Sequence, residues 1–267
     1  MNVGFIGGGN MAYAILAGGL SAGVLSPNTT IVSDPSPDRR RIVSELNVDA
    51  VEDNAAVCER AELIFLCIKP QQLAAGLEPV RSAFNPKKHC LASILAGAPT
   101  RRIESLLPDG LPVVRVMPNT PMLIGQGVSA VCGGRYATDA HIQTVVRVLE
   151  ATSQTLLIDE SMMDAVTAVS GSGPAYLFYV AEALIDAAVG VGFDIQTAEL
   201  LVRGTLSGAA NLLKQSDRTA AELRSMVTSK GGTTAAATAV FDVEQIRDAF
   251  ARAVQAARDR SIELGKG

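Results

Sequence analysis

The sequence predicts an α/β protein in two parts: a doubly wound, parallel sheet over residues 1–158, then an all-helical segment over residues 159–267. Three observations carry this. Short apolar runs alternate with stretches of helical spacing through the first half, strand signals stop near residue 159, and long Ala/Leu-rich stretches fill the remainder. At 267 residues the chain is long enough for two modest domains with buried cores.

Residues 2–6 (Asn-Val-Gly-Phe-Ile) read as a short buried strand that ends abruptly at Gly7-Gly8-Gly9. Met11, Ile15, Leu16 and Leu20 then fall at helical spacing over residues 10–22. Thr30–Ser33 is a second strand and Pro37–Leu46 a second helix. Residues 62–68 are apolar almost throughout, the pattern of a central strand covered on both faces. Residues 90–95 and 112–117 give two further strands. Beyond residue 159 the spacing predicts helices over 174–190, 194–215, 219–228, 232–240 and 243–264. Gly192 followed by Asp194 reads as a helix stop and a new N-cap, and Asp242 as another N-cap. Ala183, Leu184, Ile185, Ala187, Ala188 and Val189 make one helix apolar on more than one face, which predicts a homodimer or higher homo-oligomer.

Composition excludes several classes. Hydrophobic residues are 48% and charged residues 19%, so the chain is globular. A net charge of −4, with Arg39-Arg40-Arg41 as the only basic cluster, argues against nucleic acid as a partner. The four cysteines (Cys58, Cys67, Cys90, Cys132) lack CxxC spacing and read as buried thiols of a reducing compartment. His89 and His141 are the two histidines and neither sits in a motif, so no metal site and no histidine triad are expected. No apolar run approaches the roughly 20 residues of a membrane span, and the opening apolar residues belong to a strand–turn–helix and not to a signal peptide. A cytoplasmic protein with no membrane partner is expected.

Gly7-Gly8-Gly9-Asn10-Met11-Ala12 fits G-x-G-x-x-A between a strand and a helix. Gly7 permits the tight turn, Gly9 lets the backbone approach a pyrophosphate, and Ala12 lets the helix pack closely on the strand. With a second strand ending at Ser33-Asp34, this is the dinucleotide turn of a Rossmann-type domain. Asp34 stands where an acid would accept a ribose 2′-hydroxyl and repel a 2′-phosphate. Ser33, Ser36 and the arginines 39–41 could instead hold that phosphate, so NADP(H) and NAD(H) both stay open.

Three more strings are rich in small polar residues where a scaffold would favour bulk: residues 115–121 (Arg-Val-Met-Pro-Asn-Thr-Pro), 170–175 (Ser-Gly-Ser-Gly-Pro-Ala) and 227–234 (Val-Thr-Ser-Lys-Gly-Gly-Thr-Thr). Together with the opening Gly-Phe-Ile-Gly-Gly-Gly-Asn-Met, Cys67-Ile-Lys-Pro70 and Ala96-Gly97, they make the chain resemble the delta-1-pyrroline-5-carboxylate reductases, the last enzymes of proline biosynthesis. The resemblance covers essentially the whole chain. Its most specific part, Leu223 to Asp242, is similar to the family signature, although Lys230 stands where a proline is usual.

The resemblance implies a Rossmann domain followed by a helical dimerisation domain, an active site completed across the dimer, and reduction of 1-pyrroline-5-carboxylate to L-proline. It implies a cofactor, NADP(H) with NAD(H) as the alternative, held by Ile6, Gly7, Gly8, Gly9, Asn10, Met11, Asn54, Ile68, Lys69, Pro70, Ala96 and Gly97, beside Ser33 and Asp34 at the second strand. It implies a substrate carboxylate on Ser229, Gly232, Thr233 and Thr234, with Asp217 nearby. Physical reasoning about residues 229–234 agrees: amides at a helix mouth can converge on one anion, with the hydroxyls of Ser229 and Thr234 beside them. Thr234, or a water it holds, is the expected proton donor to the ring nitrogen. Asn119 is expected to place the nicotinamide or close the pocket, and residues 170–174 to line it. A 3-hydroxyacid dehydrogenase of similar architecture would carry a lysine on the first long helix of the second half, and residues 174–192 contain none. A non-catalytic nucleotide sensor would have no use for a carboxylate cradle.

Overall fold

The computed structural model describes residues 1–266, and its backbone packing gives two compact units: residues 1–172 with the C-terminal segment from Ala257, and Gly173–Ala256. The first unit runs β1 (Val3–Ile6), α1 (Asn10–Ser21), β2 (Thr30–Ser33), α2 (Pro37–Ser44), β3 (Asp49–Val51), α3 (Asn54–Arg60) and β4 (Leu63–Leu66). It continues through α4 (Leu73–Leu77), β5 (Cys90–Ser93), α5 (Thr100–Ser105), β6 (Val113–Met117), β7 (Gly127–Gly133), α6 (Asp139–Leu149), β8 (Ser153–Leu157) and α7 (Met163–Val166). The strands form one sheet in the order β3-β2-β1-β4-β5-β6-β7-β8. Strands β1 to β6 pair in parallel, β7 runs antiparallel to β6, and β8 lies parallel to β7.

Alternation along the strands builds a core on each face of this sheet. Val3, Phe5, Leu63, Phe65, Ala92 and Val114 join one cluster with Ile15 and Leu16 of α1. Ile6, Ile64, Leu66, Leu91 and Val113 join the other, with Val57 of α3 and Ile103 of α5. Phe5 and Phe65 stack across neighbouring strands at 5.1 Å between ring centroids. Each of the buried Val, Leu, Ile and Phe side chains among these contributes about 1.5–3 kcal/mol of transfer free energy. Gly4 falls on the α3 face, where a Cβ would come 2.8 Å from Ala61 Cβ, so α3 seats directly on β1.

The expected strands are present, but three others are not legible in the sequence. β3 is a three-residue edge strand opened by an exposed Asp49, β7 is bounded by Gly127 and Gly133, and β8 opens on three polar residues and ends on exposed Leu156 and Leu157. The antiparallel β7 also corrects the expectation of a wholly parallel sheet. The sequence boundary at 158/159 coincides with the end of the strands, whereas the compact units divide later, after Ser172.

The second unit is helical: α8 (Gly173–Gly190), α9 (Ile195–Gln215), α10 (Ala220–Met226), α11 (Thr233–Val243) and α12 (Ile246–Leu264), whose last turns belong to the first unit. Gly192 takes φ +106 and Asp194 caps α9 by accepting the Thr197 amide at 2.8 Å, as expected. Asp242 is no N-cap; it lies inside α11, and the break falls at Gln245, which adopts φ +52. Neither α8 nor α11 has a buried residue, and Leu177, Phe178, Tyr179 and Leu184 are exposed along α8. So large an apolar face on one unit marks an association surface. Among the described residues, no helix is long and apolar enough to cross a membrane.

Candidate active site

The carboxyl ends of β1, β2, β4 and β5 stand in one row, because Ile6 is registered with Ser33 on one side and Leu66 on the other, and Leu66 with Ser93. Chain direction across the sheet reverses at β1 and β4, the switch point where open α/β sheets bind ligands. Gly7 leaves β1 with φ +99, and a Cβ there would lie 2.7 Å from the Cys67 carbonyl oxygen, so only glycine makes this turn. Gly9 is the N-cap of α1 and offers no side-chain acceptor to the first-turn amides. Nothing lies within 4 Å of the position its Cβ would take. Open space above free amides at a helix N-terminus fits a pyrophosphate.

Asp34 reaches back over this turn. Its Oδ2 accepts the Gly8 amide and its Oδ1 the Ser36 amide, both at 2.8 Å. Arg39 donates to Asn10 Oδ1 at 2.8 Å, which brings a guanidinium to the mouth of α1, while Arg40 is spent on the carbonyls of Asp34 and Pro35 and on Glu52. Ser33 differs from expectation. It is fully buried, and its hydroxyl is shared between the Asn54 side chain (2.7 Å) and the Phe5 carbonyl. Asn54 in turn donates to the Gly76 carbonyl. These two polar side chains tie β2, α3 and α4 together and leave Ser33 no donor for a ligand.

On the other side of the turn, the Ile68 side chain lies beside Gly7 and would touch a Cβ at Gly76, while Lys69 and Pro70 begin the 3-10 turn that follows β4. Ala96 is half-buried and Gly97 is buried with φ +70, in the loop after β5. Asn119 is bonded within the protein at both ends of its side chain. Its Oδ1 accepts the Val128 amide at 2.8 Å and its Nδ2 faces both oxygens of Ser170 at 3.3 Å, so it braces β7 against a π-helical turn, Thr167–Gly171.

In the second unit the 229–234 string folds into one turn. Gly231 takes φ +72, the Gly232 amide donates to the Ser229 carbonyl at 3.0 Å, and Gly232 becomes the N-cap of α11. Like α1, this helix begins on a glycine without a side-chain cap. Ser229, Gly232, Thr233 and Thr234 are thereby brought together around free first-turn amides. Asp217 is not part of that turn; it is exposed in the α9–α10 connection, at the far end of a seven-residue helix about 10 Å long.

Residues 160–264 match the family model for pyrroline-5-carboxylate reductase dimerisation, and residues 2–97 one described as NADP oxidoreductase, coenzyme F420-dependent. The pyrroline-5-carboxylate reductase of Corynebacterium melassecola is 40% identical over 98% of this chain and 97% of its own length. That of Pseudomonas aeruginosa is also 40% identical, over 99% and 97%. The chain belongs to the pyrroline-5-carboxylate reductase family. Among solved structures, the Coxiella burnetii reductase superposes with a TM-score of 0.91 at 32% identity, covering 100% of this chain and 99% of that one. A Plasmodium falciparum pyrroline carboxylate reductase, described with NADP bound, gives 0.89 at 26% identity over 99% and 98%.

Family membership draws attention to groups that composition alone leaves ambiguous. The thiols are inert: burial pushes Cys58 up to about 11 and Cys90 and Cys132 up to about 12, and it raises Cys67 further. None supplies a thiolate to a reductase site at neutral pH. Among the described residues no cluster of His, Cys, Asp and Glu is arranged to hold a metal ion. Sequence reasoning missed the buried Arg115, which pairs with Glu160 at 3.3 Å and Asp164 at 3.6 Å. Its string drew notice for its small polar residues, and no local signal revealed that an arginine inside a strand would find partners 45 and 49 residues on.

Proposed function

We propose that this chain is a homodimeric reductase converting 1-pyrroline-5-carboxylate to L-proline, with NADPH as its principal hydride donor and NADH as an accepted alternative. The observation that carries the reading is the uncapped start of α11 beside Ser229, in a chain aligned over its whole length with reductases of that name. A dinucleotide supplies the hydride when bound, and what this chain's residues contribute is orientation and charge. Gly9 and the free amides of α1 receive the pyrophosphate. The amides of Thr233 and Thr234, with the Ser229 hydroxyl, receive the substrate carboxylate. Thr234 Oγ1, or a water it holds, delivers the proton to the ring nitrogen, since the cysteines are held neutral and neither histidine lies on these turns.

Asp34 and Arg39 support acceptance of both dinucleotides. The carboxylate is placed to take a 2′-hydroxyl, and the guanidinium beside Asn10 tempers its repulsion of a 2′-phosphate. Four unpaired cysteines suit a reducing compartment, and we place the enzyme in the cytoplasm, acting without nucleic acid or membrane partners. The test is dinucleotide oxidation by the purified protein with pyrroline-5-carboxylate, run with NADPH and with NADH and read alongside proline formation. Absence of turnover with both cofactors would overturn the assignment.

A further inference from the structure

The loop that follows β5, Ala96–Thr100, is gripped by two segments far away in sequence. On one side the end of α12 approaches to backbone contact. A Cβ at Gly97 would lie 2.9 Å from both Leu264 Cβ and the Ser261 carbonyl oxygen, and a Cβ at Gly265 would lie 2.6 Å from the Gly97 carbonyl oxygen. Arg102 donates to the Leu264 carbonyl at 3.2 Å, closing the helix end onto α5. On the other side Glu160 takes the Thr100 amide at 2.6 Å and the Thr100 hydroxyl at 2.7 Å.

These two grips are joined behind the loop. Arg115, with only 5% of its side chain exposed, pairs with Glu160 and with Asp164, and Asp164 accepts the Ser261 hydroxyl at 2.7 Å. A nearly buried guanidinium with two carboxylates is costly unless its geometry is fixed and the spare carboxylate oxygens are bonded. Here Thr100 and Ser261 supply those bonds, so the network has one well-satisfied arrangement, and that arrangement sets the loop.

We propose that Glu160 and the C-terminal turn Ser261–Gly265 form a clamp, locked by Arg115, that holds Ala96 and Gly97 in position for the dinucleotide. The inference rests on the reading of that loop as part of the cofactor site, and it makes Glu160 and Gly265 positioning residues. Their effect is specific: a loosened loop weakens the dinucleotide and leaves substrate recognition in the second unit alone.

The experiment compares wild type with Glu160→Ala, Glu160→Gln and Gly265→Val. NADPH binding is read by the change in the dinucleotide's own fluorescence, since the chain has no tryptophan, together with separate KM values for cofactor and substrate. Glu160→Ala removes both acceptors of Thr100, and Gly265→Val drives a side chain against the Gly97 carbonyl. Each is expected to raise the NADPH Kd and KM by about fivefold or more, with substrate KM and kcat at saturating cofactor within about twofold. Glu160→Gln keeps one carbonyl acceptor for Thr100 and should recover part of the loss. NADPH affinity within about twofold of wild type in both disruptive variants would overturn the clamp, as would cofactor and substrate KM rising in equal proportion. Wild-type protein that binds neither NADPH nor NADH would overturn the functional reading itself, and the clamp with it.

Discussion

Replacing Asp34 by serine should shift cofactor preference strongly toward NADPH. The carboxylate is pinned over the glycine turn by the amides of Gly8 and Ser36, both at 2.8 Å, so it cannot swing away from an incoming adenosine ribose. Two unit charges about 6 Å apart in an effective dielectric of about 20 interact by about 3 kcal/mol. Asp34 is partly exposed, and solvent and salt reduce its repulsion of a 2′-phosphate to about 1–2 kcal/mol. The substitution also removes the acceptor of a 2′-hydroxyl, which costs NADH about 1 kcal/mol, and it frees two amides for the phosphate. The two effects add to about 2–3 kcal/mol in the ratio of kcat/KM for NADPH to that for NADH, a rise of roughly 30-fold to 160-fold. Initial rates with each dinucleotide at saturating pyrroline-5-carboxylate measure that ratio directly. A change below about threefold would refute the reasoning, because it would mean that Asp34 faces the turn and not the ribose.

Three other outcomes are expected. Gly9→Val meets open space, so its stability should stay within about 0.5 kcal/mol of wild type by chemical denaturation while cofactor KM rises at least about tenfold; lost stability with unchanged cofactor KM would contradict the site. Thr234→Ala should lower kcat by about a hundredfold if its hydroxyl delivers the proton, and unchanged kcat and substrate KM would remove it from the mechanism. Burial, followed by the charge of Lys88, lowers the pKa of His89, whose Nδ1 accepts the Asn85 amide. The unfolded chain then binds the proton more readily, so this stability is complete above the unfolded pKa of about 6.5 and is lost as pH falls toward the lower folded value. Thermal melts should lose stability between neutral and mildly acid pH in wild type and show a flatter profile in His89→Asn; parallel profiles would exclude His89 as the cause.

The legible parts of the fold were those with a strong period or a forced backbone. β1, β2, β4, β5 and β6 were visible because strands covered on both faces must be apolar throughout. Gly7 and Gly192 were visible because each takes a positive φ where glycine is favoured. β7 and β8 lacked both signals: one is built of small residues between two glycines, and the other faces outward with leucines that remain exposed in the isolated chain. Asp242 misled because a capping residue type inside a helix looks the same in sequence as one at its start; the break is set instead by Gln245, a residue with no particular claim to a positive φ.

Side chains at the site carry a different lesson. Ser33, Asn54 and Asn119 stand next to ligand-like strings, and in each case their polar atoms are consumed within the protein, by Phe5 and Gly76 backbone, by one another, or by Val128 and Ser170. A buried hydroxyl or amide must find a partner, and a residue close behind a ligand loop satisfies that need most readily by bonding the loop's own support. Beside Asp34, Ser229 and Thr234, what remains free to meet a ligand is backbone: the first-turn amides of α1 above Gly9 and of α11 above Gly232, each helix starting on a glycine with no side-chain cap. Asp34 holds the glycine turn through the Gly8 amide, while Asn54 and Glu160 brace α4 and the loop after β5. Two kinds of substitution should therefore separate cleanly. Bulk introduced at an uncapped glycine removes ligand binding from an intact fold, whereas loss of a supporting polar group weakens binding in proportion to how far its loop relaxes.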